Sequence, residues 1–388
     1  MDYRIPLSQP SITALEVACV TDAVQSGWVS SKGEYIDRFE ESFAAYCGTR
    51  YALTTSSGTT ALHLALLSYG VQPGDEVIVP DITFISTANA VTYIGAKPVL
   101  VDIEPETLCI DVEQVKQAIT AKTKAIIAVH LYGHPANIPV LQAIARHHNI
   151  VVIEDAAEAH GATIQGTKTG ALGDCGVFSF YGNKIVTCGE GGMLTTNDAE
   201  LYHRARHLRS QAMSPTKRYW HTEIGFNYRM TNLQAALGFA QMKRIDEFVQ
   251  KKKTIFAQYQ KHLAPYPGMK LNRSAPWADN VFWQVCLEVD GWSADDRDRF
   301  MLNLAERGIE SRPYFYPISD MPMYGVSMYG ADVRHQTPVA HRISQQGLNL
   351  PSYFEMGEQE VVAVCDAIAA CLQLSSVATI KVSKEQWH

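Results

Sequence analysis

Between residues 77 and 153 the chain alternates short apolar runs with helical patterns, and few folds accept that order. Val77-Ile78-Val79, Pro98-Val99-Leu100-Val101, Ala125-Ile126-Ile127-Ala128-Val129 and Ile150-Val151-Val152-Ile153 are apolar at every position. A strand with one wet face alternates, whereas a strand apolar throughout needs cover on both faces. Helical patterns near 84–93, 111–119 and 138–148 supply that cover. The pattern predicts an α/β fold with a mostly parallel central sheet flanked by helices, right-handed crossovers, and ligands gathered at the carboxyl ends of the strands. An opening helix over 11–26 and another over 58–67 precede this block or lie at its edge. Two further strands are expected at 177–180 and 193–196, then one long helical stretch from about Asn232 to Leu263. Ala264-Pro265-Tyr266-Pro267-Gly268 breaks the pattern. Beyond it a strand near 281–289 and helices near 294–307 and 358–373 suggest a smaller α+β unit. The expected domains are therefore 1–263 and 264–388.

With 388 residues, 46% of them hydrophobic and 19% charged, the chain can bury two sizeable cores. A net charge of −7 argues against a general nucleic-acid binder, which carries a basic field. The eight cysteines show no C-x-x-C spacing and read as reduced thiols. The N-terminus has no basic segment followed by an apolar core, and no apolar run approaches the ~20 residues of a membrane span. A cytoplasmic protein is expected. Lys251-Lys252-Lys253, inside the long helical stretch, reads as a solvated face.

The chemistry gathers around Lys184. It follows Val177-Phe178-Ser179-Phe180-Tyr181-Gly182-Asn183 and precedes Gly189-Glu190-Gly191-Gly192. Upstream, an apolar strand ends in Glu154-Asp155. Pyridoxal 5'-phosphate (PLP) needs an amine for its aldehyde, a carboxylate for its ring nitrogen and small polar groups for its phosphate. Lys184 and Asp155 supply the first two. Ser179 offers a hydroxyl, and Ser57-Gly58-Thr59 enters a helix whose first N–H groups suit an anion. Phe84 begins another helix after a strand, where an aromatic ring could stack on a flat cofactor. Each residue also has a plain reading: a strand-end or cap aspartate, a solvated lysine, a capped helix, a core phenylalanine. No G-x-G-x-x-G, H-E-x-x-H or G-x-S-x-G pattern is present, and His147-His148 reads as a helix end rather than a metal site, so no metal is expected.

Taken together, the residues resemble the DegT/DnrJ/EryC1/StrS family of sugar aminotransferases over roughly residues 5–373. The motifs that carry the resemblance are Trp28-Val29-Ser30-Ser31-Lys32-Gly33, Ser57-Gly58-Thr59, Glu154-Asp155-Ala156-Ala157-Glu158-Ala159, Ser179 to Lys184, Gly189-Glu190-Gly191-Gly192-Met193 and Asn227-Tyr228-Arg229-Met230-Thr231-Asn232. The resemblance implies PLP fold type I, as in aspartate aminotransferase. It implies that Lys184 binds the cofactor covalently and shuttles a proton, and that Asp155 pairs with the pyridinium nitrogen. Glu158 would meet the ring hydroxyl, a place where many members carry glutamine. Ser57, Gly58, Thr59 and Ser179 would hold the phosphate, Asn227 would complete it from a neighbouring subunit of a homodimer, and Phe84 would stack on the ring. Arg229 and Arg312 are candidates for contacts to substrate pyrophosphate or carboxylate. The implied reaction moves an amino group from L-glutamate to C4 of a nucleotide-linked 4-keto-6-deoxy sugar, best matched by GDP-4-keto-6-deoxymannose. A TDP- or UDP-linked sugar and a non-catalytic PLP-binding regulator are the rivals.

Overall fold

In the computed structural model, the described residues are 3–330 and 332–385, with side-chain surroundings described through 372 apart from 327. The chain opens with α1 (Ala14–Gln25) and α2 (Glu34–Cys47). It continues through β1 (Tyr51–Thr55), α3 (Gly58–Ser68), β2 (Glu76–Pro80), α4 (Ser86–Tyr93), β3 (Lys97–Val101), α5 (Val112–Ala118), β4 (Thr123–Val129), α6 (Ile138–His148) and β5 (Val151–Asp155). The hairpin β6 (Thr163–Ile164) and β7 (Thr167–Lys168), then β8 (Cys175–Ser179), β9 (Gly192–Thr196) and α7 (Ala199–Arg209) complete this block. β1 to β5 with β8 and β9 form a seven-stranded sheet in the order β1-β9-β8-β5-β4-β2-β3. β8, β5, β4, β2 and β3 run parallel, and β9 runs antiparallel to its neighbours β1 and β8. The expected apolar runs are its central strands: Val77, Ile78, Val79, Ile126, Ile127, Val152 and Ile153 are fully buried. Helices cover both faces because both faces are apolar.

The stretch expected as one helix from Asn232 to Leu263 is two, α8 (Asn232–Met242) and α9 (Ile245–Leu263). The break at Lys243-Arg244 has a local cause. Arg244 leaves helical geometry (φ −118°, ψ 5°) and its guanidinium reaches back to Glu16 Oε1 at 3.1 Å and Ser11 Oγ at 3.1 Å. Glu16 is 1% exposed, so this ion pair fixes α1 to the α8–α9 corner.

The rest of the chain builds β10 (Met269–Leu271), β11 (Ala278–Asp279), β12 (Val285–Val289), α10 (Ala294–Ala305), β13 (Arg312–Pro313), α11 (Val326–Tyr329), α12 (Pro338–Gln346), β14 (Gly347–Leu350) and α13 (Glu358–Glu385). Strands β10-β12-β14-β13 form an antiparallel sheet. The strand expected from 281 starts only at Val285, because Phe282 has left-handed backbone (φ 51°) and bends the approach. Helix α9 serves two cores. Its Ile245 and Phe248 pack with the first sheet's helices, while Ile255, Phe256, Tyr259 and Leu263 pack with β12, β14 and α13. The same helix corrects the expectation for the lysine run: Lys252 is 8% exposed, not solvated.

Candidate active site

The parallel strands deliver the site. β5 ends at Asp155, β8 ends at Ser179, and the turn after β2 carries Phe84. All three lie at carboxyl ends, where the parallel sheet leaves a crevice. Beyond β8 the chain folds back on itself. Phe180 N–H donates to Gly191 O at 2.9 Å, and Cys188 N–H donates to Phe180 O at 2.9 Å. This closed loop presents Lys184, whose own N–H donates to Tyr181 O at 2.9 Å.

Lys184 Nζ donates to Glu158 Oε1 at 3.2 Å, with side chains only 11% and 5% exposed. The other Glu158 oxygen accepts the Tyr132 N–H at 2.9 Å. Above the ammonium lies the Trp283 indole, 3.9 Å from Nζ to ring centre, and its Nε1–H donates to Asn183 O at 2.8 Å. Asp155 Oδ2 accepts from Thr87 Oγ1 at 2.9 Å, and Oδ1 accepts from Ala157 N–H at 3.3 Å. Burial raises the Asp155 carboxyl above the usual aspartate range, against the pull of Thr87, Ala157 and the Lys184 charge. Burial likewise raises Glu158, and Lys184 is the largest opposing influence. Two buried acids beside one amine form a site that gains from an added cation.

The polar pocket for an anion is built by close backbone approach. A Cβ on Gly58 would come within 3.0 Å of the Ser179 Cβ. One on Gly192, paired with both Thr55 and Ser179, would come within 2.4 Å of the Ser57 carbonyl carbon. Glycine at these positions lets the start of α3 sit against the end of β8. A reciprocal cap between Ser57 and Thr60 uses their N–H groups. Among the described residues this leaves the Gly58 and Thr59 N–H groups, at the positive end of α3, to an incoming anion. Thr59 Oγ1 sits 2.7 Å from Ser86 Oγ.

Phe84 is 56% exposed, which removes the core-packing reading. Its ring meets Phe315 at 6.0 Å, and Phe315 stacks on Tyr132 at 5.4 Å and 11°. Asn227 and Arg229 bond each other, through Asn227 Oδ1 and both Arg229 Nε (3.2 Å) and an Nη (3.0 Å). Between them Tyr228 O accepts the Ser56 N–H at 2.8 Å, so this loop backs onto the Ser57 turn. Arg312 lies on β13 in an ion pair with Glu310 at 3.0 Å. Among the described residues, no hydrogen bond or ion pair joins either arginine to Asp155, Glu158 or Lys184. Thr87, Tyr132 and Trp283 escaped the sequence reading. Thr87 had a signal, one turn after Thr83 at the start of α4; Trp283 had none near Lys184.

The residues present fit pyridoxal phosphate. A buried carboxylate with one firm hydrogen bond suits a ring N–H⁺, a nearly enclosed amine suits an aldehyde, and a glycine-lined helix start with Thr59 and Ser179 suits a phosphate. The DegT/DnrJ/EryC1/StrS aminotransferase family matches residues 10–369. A Caulobacter vibrioides protein named GDP-perosamine synthase is 44% identical over 94% of this chain and 97% of its own. One of the same name from Escherichia coli O157:H7 is 42% identical over 94% and 97%. A Streptococcus pneumoniae protein described as a sugar aminotransferase, solved in its PLP form, superposes with a TM-score of 0.89 at 28% identity, covering 95% of this chain and 98% of its own. The fold and site define a PLP-dependent aminotransferase of fold type I. The chain belongs to the DegT/DnrJ/EryC1/StrS aminotransferase family.

Proposed function

We propose that this enzyme transfers the amino group of L-glutamate to C4 of GDP-4-keto-6-deoxy-D-mannose, giving GDP-perosamine. The observation that carries the reading is the grouping of one nearly enclosed amine, Lys184, with two buried carboxylates at the carboxyl end of a parallel sheet. The GDP-linked substrate is supported by the relatives named GDP-perosamine synthase, at 40–44% identity over nearly whole chains.

When bound, PLP supplies a carbonyl that captures amines and a ring that draws electrons from a neighbouring C–H bond. Lys184 is the amine that would hold it. Asp155, short of donors where it lies, would keep the proton on the ring nitrogen, and Glu158 would serve the ring hydroxyl while steering Lys184. Ser57, Gly58, Thr59 and Ser179 would hold the phosphate, and Phe84 would cover the ring. Once free, Lys184 Nζ takes the α-proton of glutamate and passes it on, as a general base and then acid. Glu158 Oε1 accepts from that Nζ and sets its direction. In the second half, Nζ returns a proton to the sugar carbon.

Asn227 is exposed and Arg229 half-buried, and the stretch of chain before them exposes Trp220 and Ile224, at 54% and 86%. That exposed apolar loop supports a homodimer in which Asn227 reaches a neighbouring phosphate site, with Arg229 and Arg312 left for substrate anions. Among the described residues no helix is long and apolar enough to cross a membrane, which supports a cytoplasmic enzyme. The test is incubation with glutamate and a panel of GDP-, TDP- and UDP-linked 4-keto sugars. Formation of 2-oxoglutarate and a C4 amine with the GDP sugar alone is expected. Amination of a TDP or UDP sugar in its place would sink the GDP assignment.

A further inference from the structure

Lys252 has no part in the reaction just described, yet it is among the most unusual residues of the chain. It is 8% exposed, and among the described residues its partners are oxygens of Trp283 and Ser352, with no carboxylate among them. A lysine is almost never buried without a partner. Its partners here are carbonyl and hydroxyl oxygens. The ammonium donates to Trp283 O at 2.9 Å, to Ser352 Oγ at 3.1 Å and to Ser352 O. All of these contacts go to oxygens of the chain itself and none to a carboxylate, which points to a backbone-fastening role.

What it fastens bears on the active site. Ser352, 0% exposed, donates its N–H to Leu7 O at 3.0 Å, so Lys252 ties α9 to three distant stretches of chain. One of these is Trp283. The Trp283 indole donates to Asn183 O, the residue before Lys184, and its face receives Lys184 Nζ. The same indole lies parallel to Tyr132, at 6.4 Å and 12°, and Tyr132 N–H holds Glu158. Trp283 thus touches both the amine and the support of the amine's carboxylate partner. We propose that Lys252 is a positioning residue for Lys184: by gripping the Trp283 and Ser352 carbonyls it holds the Trp283 indole against Asn183 and the Lys184 amine. This rests on the reading of Lys184 as the reactive amine.

The test uses the full chain freed of cofactor. Lys184 is acetylated with trace acetic anhydride at pH 8, and its rate is read by peptide mass spectrometry against the exposed Lys122. Glu158, Asp155 and His160 surround the amine and are unchanged throughout. K252M removes the grip. It should change the Lys184 rate about fivefold, the factor expected when an ammonium loses its contact with an aromatic face. W283L, which removes the aromatic face, should give the same change, and the double variant no more, because both act through one indole. In the loaded enzyme K252M should lower kcat at least about tenfold with KM for glutamate held. K252Q, shorter and one donor poorer, is expected to behave alike and replaces K252M if that variant does not fold. A wild-type Lys184 rate in the folded variant, or effects of K252M and W283L that multiply, would overturn the proposal. Wild-type enzyme that binds PLP through another lysine would instead overturn the reading of Lys184, and the labelling result would stand apart from it.

Discussion

Replacing Lys252 by methionine has a pH-dependent consequence whose size follows from burial. Desolvation pushes the Lys252 amine from 10.5 down to about 7. Between those values the unfolded chain holds a proton at this site that the folded chain has released. Stability therefore rises with pH through this window, by about 1.4 kcal/mol per unit. Below about 7 the folded protein carries the charge and the full cost of burying it. The whole window is worth about 5 kcal/mol at most, and the three acceptors around the ammonium, which favour the charged form, reduce that figure. K252M has no such group. Urea unfolding of cofactor-free wild type and K252M, followed by circular dichroism at matched concentration and at pH 7.5, 8.25 and 9, isolates the difference, because other titrating groups cancel. Wild type should gain on the variant by about 1.4 kcal/mol per pH unit. Parallel stability curves would refute the reasoning.

Three further outcomes follow from the site. D155N replaces the acid that holds the ring nitrogen with a neutral amide and should lower kcat by about 10²–10⁴-fold; a rate within threefold of wild type would contradict the role. G58A adds a Cβ 3.0 Å from the Ser179 Cβ and should weaken PLP binding about tenfold in a fluorescence titration; an unchanged Kd would remove Gly58 from the phosphate site. Glu158 is raised by burial above its ordinary 4.5, so its stabilising proton is fully present below 4.5 and lost as pH rises through the folded value. Thermal unfolding of cofactor-free E158Q should accordingly vary less between pH 4.5 and 7 than wild type, and equal slopes would argue that the Glu158 carboxyl titrates normally.

The central sheet could be read from the sequence because every parallel strand is buried on both faces, which leaves an uninterrupted apolar run. Edge strand β1, Tyr51–Thr55, mixes polar and apolar residues and gave no such run. Helix α2 stayed hidden as well: its buried residues Tyr35, Ile36, Phe39 and Phe43 are spaced for a helix but sit among five charged residues. The helix break at Arg244 depends on Glu16, far away in the chain, and no local pattern announces it. The same distinction divides the site. Asp155, Ser179 and Lys184 lie on or just after strands, so local sequence placed them together. Trp283 and Lys252 reach Lys184 only through folding, and a three-lysine run on a helix has the same pattern whether solvated or, as at Lys252, fastened to carbonyls.

The central claim is that one lysine amine forms the covalent bond to PLP. Reducing the loaded wild-type enzyme with borohydride and sequencing its peptides by mass spectrometry tests this directly. The account predicts a single pyridoxyl adduct on Lys184, abolished in K184A. An adduct on any other lysine, or none on a protein that has taken up the cofactor, would contradict it.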